Sequence, residues 1–279
     1  MKELYLATYC YGSMKMSTLE MIQTAKRFGF QGLEFLQPLT PEIAAELRQE
    51  NMRVRDSSAT ELTPAYAELL KDLGVSYIQG NVPMFGNHEQ ALHMAELLDQ
   101  AGKTAAEFGL KVYYHNHTHE WRMDQGEYLM ETILNNTDPS RVCMQMDAGW
   151  AICAGIDVEA FLEKYSGRVE LMHVKACTEK LGPEGVSFMA PKPDGTMPAL
   201  PKPGADGKPP RLTPEMEAAF VNIRRASGAM KDCIADYKSI LSTAEENGCN
   251  VFILERDEHY LDNPLDCIRE DTEIIRTFW

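Results

Sequence analysis

The sequence predicts a closed (β/α)8 barrel, a single domain over residues 1–279. Three observations carry that expectation. Short apolar, β-branched or aromatic runs alternate with longer amphipathic ones through eight strand–helix units, the count of a closed barrel. Several amphipathic runs stop at a glycine just before the next short run, at Gly29, Gly74, Gly109 and Gly248. Glycine accepts the left-handed conformation that turns the chain back toward a parallel strand. Finally, the competing open doubly wound sheet would place a Gly-rich phosphate loop after the first strand, and Tyr9-Cys10-Tyr11-Gly12-Ser13 is not one.

In order along the chain, the strands are expected at Leu4–Tyr9, Gln31–Leu36, Arg53–Ser57, Val75–Gly80, Leu110–His115, Val142–Asp147, Val169–Val174 and Asn250–Glu255. Helices are expected between them. Ser17–Phe28 opens on a Ser cap, and Pro41–Gln49 has Pro in its first turn behind a Thr40 cap. Pro64–Leu73 and the long His88–Phe108 follow, then Tyr128–Asn135, Val158–Tyr165, Tyr237–Asn247 and Leu265–Phe278.

One segment breaks the rhythm, an insertion of about 178–232. Nine of the 15 prolines lie in it: Pro183, Pro191, Pro193, Pro198, Pro201, Pro203, Pro209, Pro210 and Pro214. With Gly182, Gly185, Gly195, Gly204 and Gly207 among them, no regular element is expected before Arg211. Thr213-Pro214-Glu215-Met216-Glu217 then reads as a capped helix start running to about Ala226. The insertion follows a strand, so it should emerge on the catalytic face as a lid or a subunit contact.

Composition narrows the function. With 27 basic and 42 acidic side chains the formal charge is -15, which repels nucleic-acid phosphates and anionic lipid. Seven scattered cysteines with no CxxC spacing indicate neither a disulfide framework nor a zinc knuckle. No apolar run approaches the ~20 residues of a membrane span. The N-terminal residues read as the first strand and not as a secretory signal, so a cytoplasmic location is expected.

Barrel enzymes build their sites at the C-terminal strand ends. Here those ends read Tyr114-His115-Asn116-His117-Thr118-His119-Glu120, Gln145-Met146-Asp147, His173-Val174-Lys175 and Leu254-Glu255-Arg256-Asp257. Period-two alternation points Cys143, Gln145 and Asp147 inward together, then His173 with Lys175, Val251 and Ile253 with Glu255, and His115 with His117. Each has a plainer use as a helix cap or a surface ion pair, and His119 reads as structural and outward-facing. Their coincidence on four consecutive strands argues for a site. Oxygen and imidazole donors without thiolates suit Mn²⁺, Co²⁺, Mg²⁺, Fe²⁺ or Zn²⁺.

At these residues the sequence resembles the xylose-isomerase-like TIM-barrel superfamily, in particular its sugar phosphate isomerase/epimerase branch, which is related to inosose dehydratase and the ketose 3-epimerases. Tyr114–His117 with Glu120, Asp147–Trp150, His173–Lys175, and Glu255 with Asp257 match the branch's four ordered motifs. The resemblance implies metal ligands at Glu120, Asp147, His173 and Glu255, with Mn²⁺ first among the candidate ions. Relatives often carry a Glu where His115 stands, so either Glu120 folds back or His115 ligates instead. Relatives also follow His-x-Lys with Asp, whereas here Ala176 follows and Glu179 is the candidate substitute.

The implied chemistry is proton removal beside a carbonyl, stabilised by the metal. His117 is the leading base, Glu255 a ligand and second base, and Lys175 the oxyanion partner. His115 is a further catalytic or substrate-contacting candidate, and Trp150 an apolar wall against the sugar. Return of the proton gives isomerisation or epimerisation, and loss of a β-hydroxyl or β-aglycone gives a dehydratase like inosose dehydratase or a lyase acting on 3-keto-glycosides. A non-catalytic sugar-binding or partner subunit is the third reading. The expected partner is a sugar or cyclitol, unphosphorylated for want of a phosphate cradle, and the resemblance implies a homo-oligomer.

Overall fold

Eight short parallel strands form an inner ring in the computed structural model, which describes residues 3–12, 14–59, 61–187, 189–198 and 212–279. They are β1 (Leu4–Ala7), β2 (Gly32–Glu34), β3 (Asp56–Ser57), β4 (Tyr77–Gln79), β5 (Lys111–His115), β6 (Val142–Asp147), β7 (Val169–Val174) and β8 (Val251–Leu254). Their order around the ring is β2-β1-β8-β7-β6-β5-β4-β3, each strand beside its neighbours in sequence. Ten helices are described: α1 (Thr18–Arg27), α2 (Pro41–Glu50), α3 (Pro64–Asp72), α4 (His88–Ala106), α5 (Leu129–Asn135), α6 (Ala148–Ala154), α7 (Val158–Lys164), α8 (Pro214–Ala226), α9 (Tyr237–Glu246) and α10 (Pro264–Ile275). The expected barrel is the observed one.

Local chemistry accounts for the helix boundaries. Ser17 and Glu20 form a reciprocal capping box at α1, and Thr40, Thr63 and Thr213 each accept a backbone N–H at helices that begin with Pro. Gly29, Gly74, Gly109 and Gly248 all have positive φ, as their places at helix ends require. Two elements were not foreseen. Asp147 ends β6 and also caps α6, so the chain turns directly from strand to helix. A small antiparallel hairpin pairs Met123–Asp124 with Glu127–Tyr128 and displaces the start of α5 to Leu129.

The ring closes at its thinnest point. Between β2 and β3 the ladder is one parallel bridge, Gly32 to Arg53, with hydrogen bonds from Leu33 N–H to the Arg53 carbonyl (3.0 Å) and from Arg53 N–H to the Gln31 carbonyl (3.1 Å). A Cβ on residue 32 would stand 2.1 Å from the Arg53 oxygen and 2.6 Å from the Tyr5 ring. Glycine is therefore what lets the backbones meet. Strand register then stacks the inner face: Tyr5 pairs with Gly32 and Ile253, Ala7 with Glu34, Asp147 with His173, and His115 with Gln145. Leu171 and Ile253 fill the lower barrel, and His173 and Glu255 sit two residues beyond them.

Of the insertion, residues 199–211, which include Pro201, Pro203, Gly204, Gly207, Pro209 and Pro210, lie outside the described residues, as does Phe188. The capped helix expected after it is present as α8. All seven cysteines are free. Among the described residues no helix is long and apolar enough to cross a membrane.

The closure makes a stability prediction. Gly32→Ala should cost on the order of 3 kcal/mol, because the crowding atom is backbone and cannot swing away. Gly74→Ala, at φ +77° with nothing within 4 Å, should cost only about 1 kcal/mol for its left-handed backbone. Urea denaturation of both variants measures the difference; equal losses would show that the β2–β3 seam is not the tight point.

Candidate active site at the barrel mouth

A cavity of about 420 Å³ opens at the C-terminal end of the strands. Its inner wall is polar, with Glu34, Gln79, His115, Gln145, His173 and Glu255. The deepest group is a set of buried ions. His173 Nε2 lies 3.0 Å from the Glu34 carboxylate and its Nδ1 lies 2.8 Å from Glu255. Burial opposes a charge on this imidazole, but the two carboxylates outweigh it and hold its pKa well above the usual value.

Lys175 sits beside them, 2.9 Å from Glu255, 2.7 Å from Asp257 and 3.4 Å from Asp147. Burial is again overcome by those three carboxylates, which raise the Lys175 pKa. Burial works to raise Glu255, yet the Lys175 and His173 charges hold it well below the carboxylate range. Burial pushes Asp147 up to about 7 against the pull of Lys175, and raises Asp257 in the same way.

A second chain of contacts fixes a tautomer. The Gln145 amide donates to Glu34 at 2.7 Å, so its oxygen faces His115 Nδ1, 2.8 Å away. His115 Nδ1 must then carry the proton, which leaves Nε2 with a free lone pair. Enclosure lowers the His115 pKa well below normal, with the neighbouring His173 and His117 adding to the effect. Behind Glu34, burial and the Glu34 charge raise Asp56 well above the usual range, and Asp56 shares a hydrogen bond with Glu34 while accepting one from Tyr113 (3.0 Å).

Beyond β5 the chain leaves strand geometry. His117 projects into the cavity, reached by solvent there although protein atoms surround it, and this enclosure lowers its pKa. The imidazoles of His173, His115 and His117 follow one another at ring separations of 4.7 and 5.1 Å. His119, expected to face outward, is instead buried and lines the cavity against Phe85. His119 thus keeps the inward side of His115 and His117 although a short helical turn begins there, over 119–121. That turn carries Glu120 away from the ion cluster. Its two oxygens accept from the Tyr114 hydroxyl and the His117 N–H, both at 2.8 Å, and burial raises its pKa.

The insertion roofs the cavity with Val186, Ser187, Met189 and Ala190, and α8 adds Phe220 and Ile223. Arg122 pins it through a two-point ion pair with Glu184 and a hydrogen bond to the Pro191 carbonyl. Thr118 and Ser187 join hydroxyls at 2.7 Å. The insertion thus lies on the face where a lid was expected.

The donor atoms fit a divalent cation. His115, Asp147 and His173 offer atoms within 4.8 Å of one another, as do Glu34, His173 and Glu255. Asp147 Oδ2, Glu34 Oε2 and His173 Nδ1 are buried without an aligned hydrogen-bond partner. Among the described residues Glu34, Asp147, Glu255 and Asp257 form their ion pairs with Lys175 and His173, four carboxylates to two cations, an imbalance that a further cation would relieve.

Of the residues singled out in the sequence, Asp147, His173, Glu255 and His115 come together, with Trp150 and His117 on the cavity wall. Glu120 does not join them. Lys175 lies behind the cavity floor with its ammonium 4.1 Å from the Trp150 ring, so it meets carboxylates and not the open space. The acidic partner sought for it is Asp257, whereas Glu179 pairs with Arg225. Glu34 and Asp56 were not picked out; the available signal was a carboxylate inside a short apolar strand, at β2 and at β3.

No family model matches the chain. Inosose dehydratase 2 of Bacillus cereus (strain ZK / E33L) is 32% identical over 105 residues, which is 35% of this chain and 35% of that protein. The match therefore spans about a third of the length of the curated relatives. Among solved structures, a sugar phosphate isomerase/epimerase from Parabacteroides distasonis superposes with TM-score 0.69 at 18% identity, covering 99% of this chain and 95% of that one. A xylose isomerase domain protein from Alicyclobacillus acidocaldarius superposes with TM-score 0.65 at 12% identity over 100% and 98%. The chain has the fold of the xylose-isomerase-like TIM barrels, and a third of its sequence is similar to inosose dehydratases.

Proposed function

We propose that the chain is a divalent-metal-dependent isomerase or epimerase of a keto-sugar or related polyol carbonyl, acting by proton transfer beside the carbonyl. The observation that carries this reading is the meeting, in one cavity, of buried ligand atoms that lack an aligned hydrogen-bond partner with the imidazoles of His115 and His117. Asp147, His173 and Glu255 would hold the cation, with Glu34 or His115 completing the set. A cation held there supplies Lewis acidity to the substrate oxygens, the charge sink that a weak carbon acid requires.

The protein's own groups would do the rest. His117, neutral and facing the cavity, takes the proton, and His115, with Nε2 free, is placed to return or relay it. Lys175 works indirectly, keeping Glu255 ionised and Asp147 and Asp257 in place. Trp150 closes one side of the cavity as an apolar face for the sugar ring. Manganese, an unphosphorylated substrate, a single catalytic domain and self-association belong to the same reading.

Elimination from the same carbanion is the second reading, and the similarity to inosose dehydratases favours it. Turnover in deuterium oxide separates the two. Substrate-sized product with deuterium on carbon supports isomerisation, and loss of water or of a substituent supports the lyase.

Four outcomes test the scheme. Chelation of the metal should abolish turnover and its return restore it; full activity of the metal-free protein would refute the proposal. His117→Gln should lower kcat by roughly 10²–10⁴-fold. Because enclosure lowers the His117 pKa, the base stays neutral as pH falls through 6.5, so kcat/KM of metal-saturated enzyme should stay level there and decline only at lower pH. An acid limb at or above the ordinary histidine value would remove His117 as the base. Gln145→Leu leaves Glu34 and His115 without their shared amide, and competition with a chromophoric chelator should show roughly 10–100-fold weaker metal binding.

A further inference from the structure

The cavity has two chemically different walls. Charged and amide groups occupy the floor, while Leu36, Met84, Val186, Met189, Phe220 and Ile223 form the outer wall. They come from four separate places: the end of β2, the loop after β4, the insertion and α8. Leu36, Met84 and Met189 remain 58%, 38% and 47% exposed. Loops at a barrel mouth are ordinarily polar, and apolar side chains from several segments gathered on one exposed surface mark a binding site. A bare sugar satisfies the floor and offers that wall nothing.

We propose that the substrate is amphiphilic: a keto-glycoside, or a similarly substituted polyol carbonyl, whose oxidised sugar ring rests on the ionic floor and whose apolar aglycone packs against Leu36, Met84 and Met189. The inference rests on the polyol reading above and extends it to the substrate class. Continuity argues for a single ligand, because both walls bound one cavity. Its volume, about 420 Å³, falls in the range of roughly 300–1,000 Å³ typical of pockets for drug-sized molecules. The roof is also held by interactions away from this wall, the Arg122–Glu184 pair and the Thr118–Ser187 hydroxyls, so the apolar side chains are not needed to anchor it. Leu36, Met84 and Met189 are then specificity residues that leave the proton-transfer groups untouched.

Calorimetric titration of the metal-loaded protein with phenyl β-D-glucopyranoside, methyl β-D-glucopyranoside and phenol tests this. The phenyl glycoside should bind at least about tenfold more tightly than the methyl glycoside, the return expected from burying an aryl ring. In the Leu36→Asn, Met84→Gln double variant that advantage should fall below about threefold while methyl glycoside affinity is unchanged. Equal binding of the two glycosides by the unmodified protein would overturn the amphiphile and leave the sugar reading standing. Phenol binding as tightly as its glycoside would overturn both, since the sugar would contribute nothing. An undiminished phenyl preference in the double variant would show that the aglycone lies elsewhere and would also overturn the assignment.

Discussion

Charge balance in a nearly dry barrel end governs the arrangement. Glu34, Asp147, Glu255 and Asp257 converge from two strands and the segment just after β8 on two cations, Lys175 and His173. Ionised groups removed from water are tolerated only when paired, and the pairing here is incomplete. Burial raises Asp147 and Asp257, while Glu255, gripped by both cations, is held in its charged form. The surplus of carboxylate oxygen and the unaligned oxygens of Glu34 and Asp147 express one deficit of positive charge.

The barrel makes that convergence possible because its strands are short and in tight register. Asp147 stands opposite His173, and His173 opposite Ile253, two residues before Glu255. A shift of one residue would turn each of these groups into the helical layer. Orientation then passes inward through amides and not through charges: Gln145 reads Glu34 on one side and sets the imidazole of His115 on the other. His115 and the ionic cluster therefore belong to one hydrogen-bonded unit.

Much of this was legible because alternation is dependable on well-formed strands. β6 and β7, six residues each, gave Asp147 and His173 their inward direction, and Glu255 followed from the parity of β8. Legibility failed beyond β5 and on the shortest strands. His119 was set apart as outward-facing although it shares the parity of His115, and the motif match that put Glu120 among the ligands does not register the helical turn over 119–121. Glu34 and Asp56 lie on strands of three and two residues, too brief to show a period. The partnership of Lys175 with Asp257 joins residues 82 positions apart, a contact that local pattern does not encode.

The seam between β2 and β3 joins chemistry to architecture. Only two backbone hydrogen bonds cross it, below Glu34 on one side and Asp56 on the other. Asp56, its pKa raised by burial and by the Glu34 charge, shares a hydrogen bond with Glu34 just above the gap, and Tyr113 donates to Asp56 from β5. The hoop is thus stapled by side chains where its main-chain stitching is sparsest. Electrostatic repair of the site and mechanical closure of the ring fall to the same two carboxyl groups, so neither can drift independently of the other.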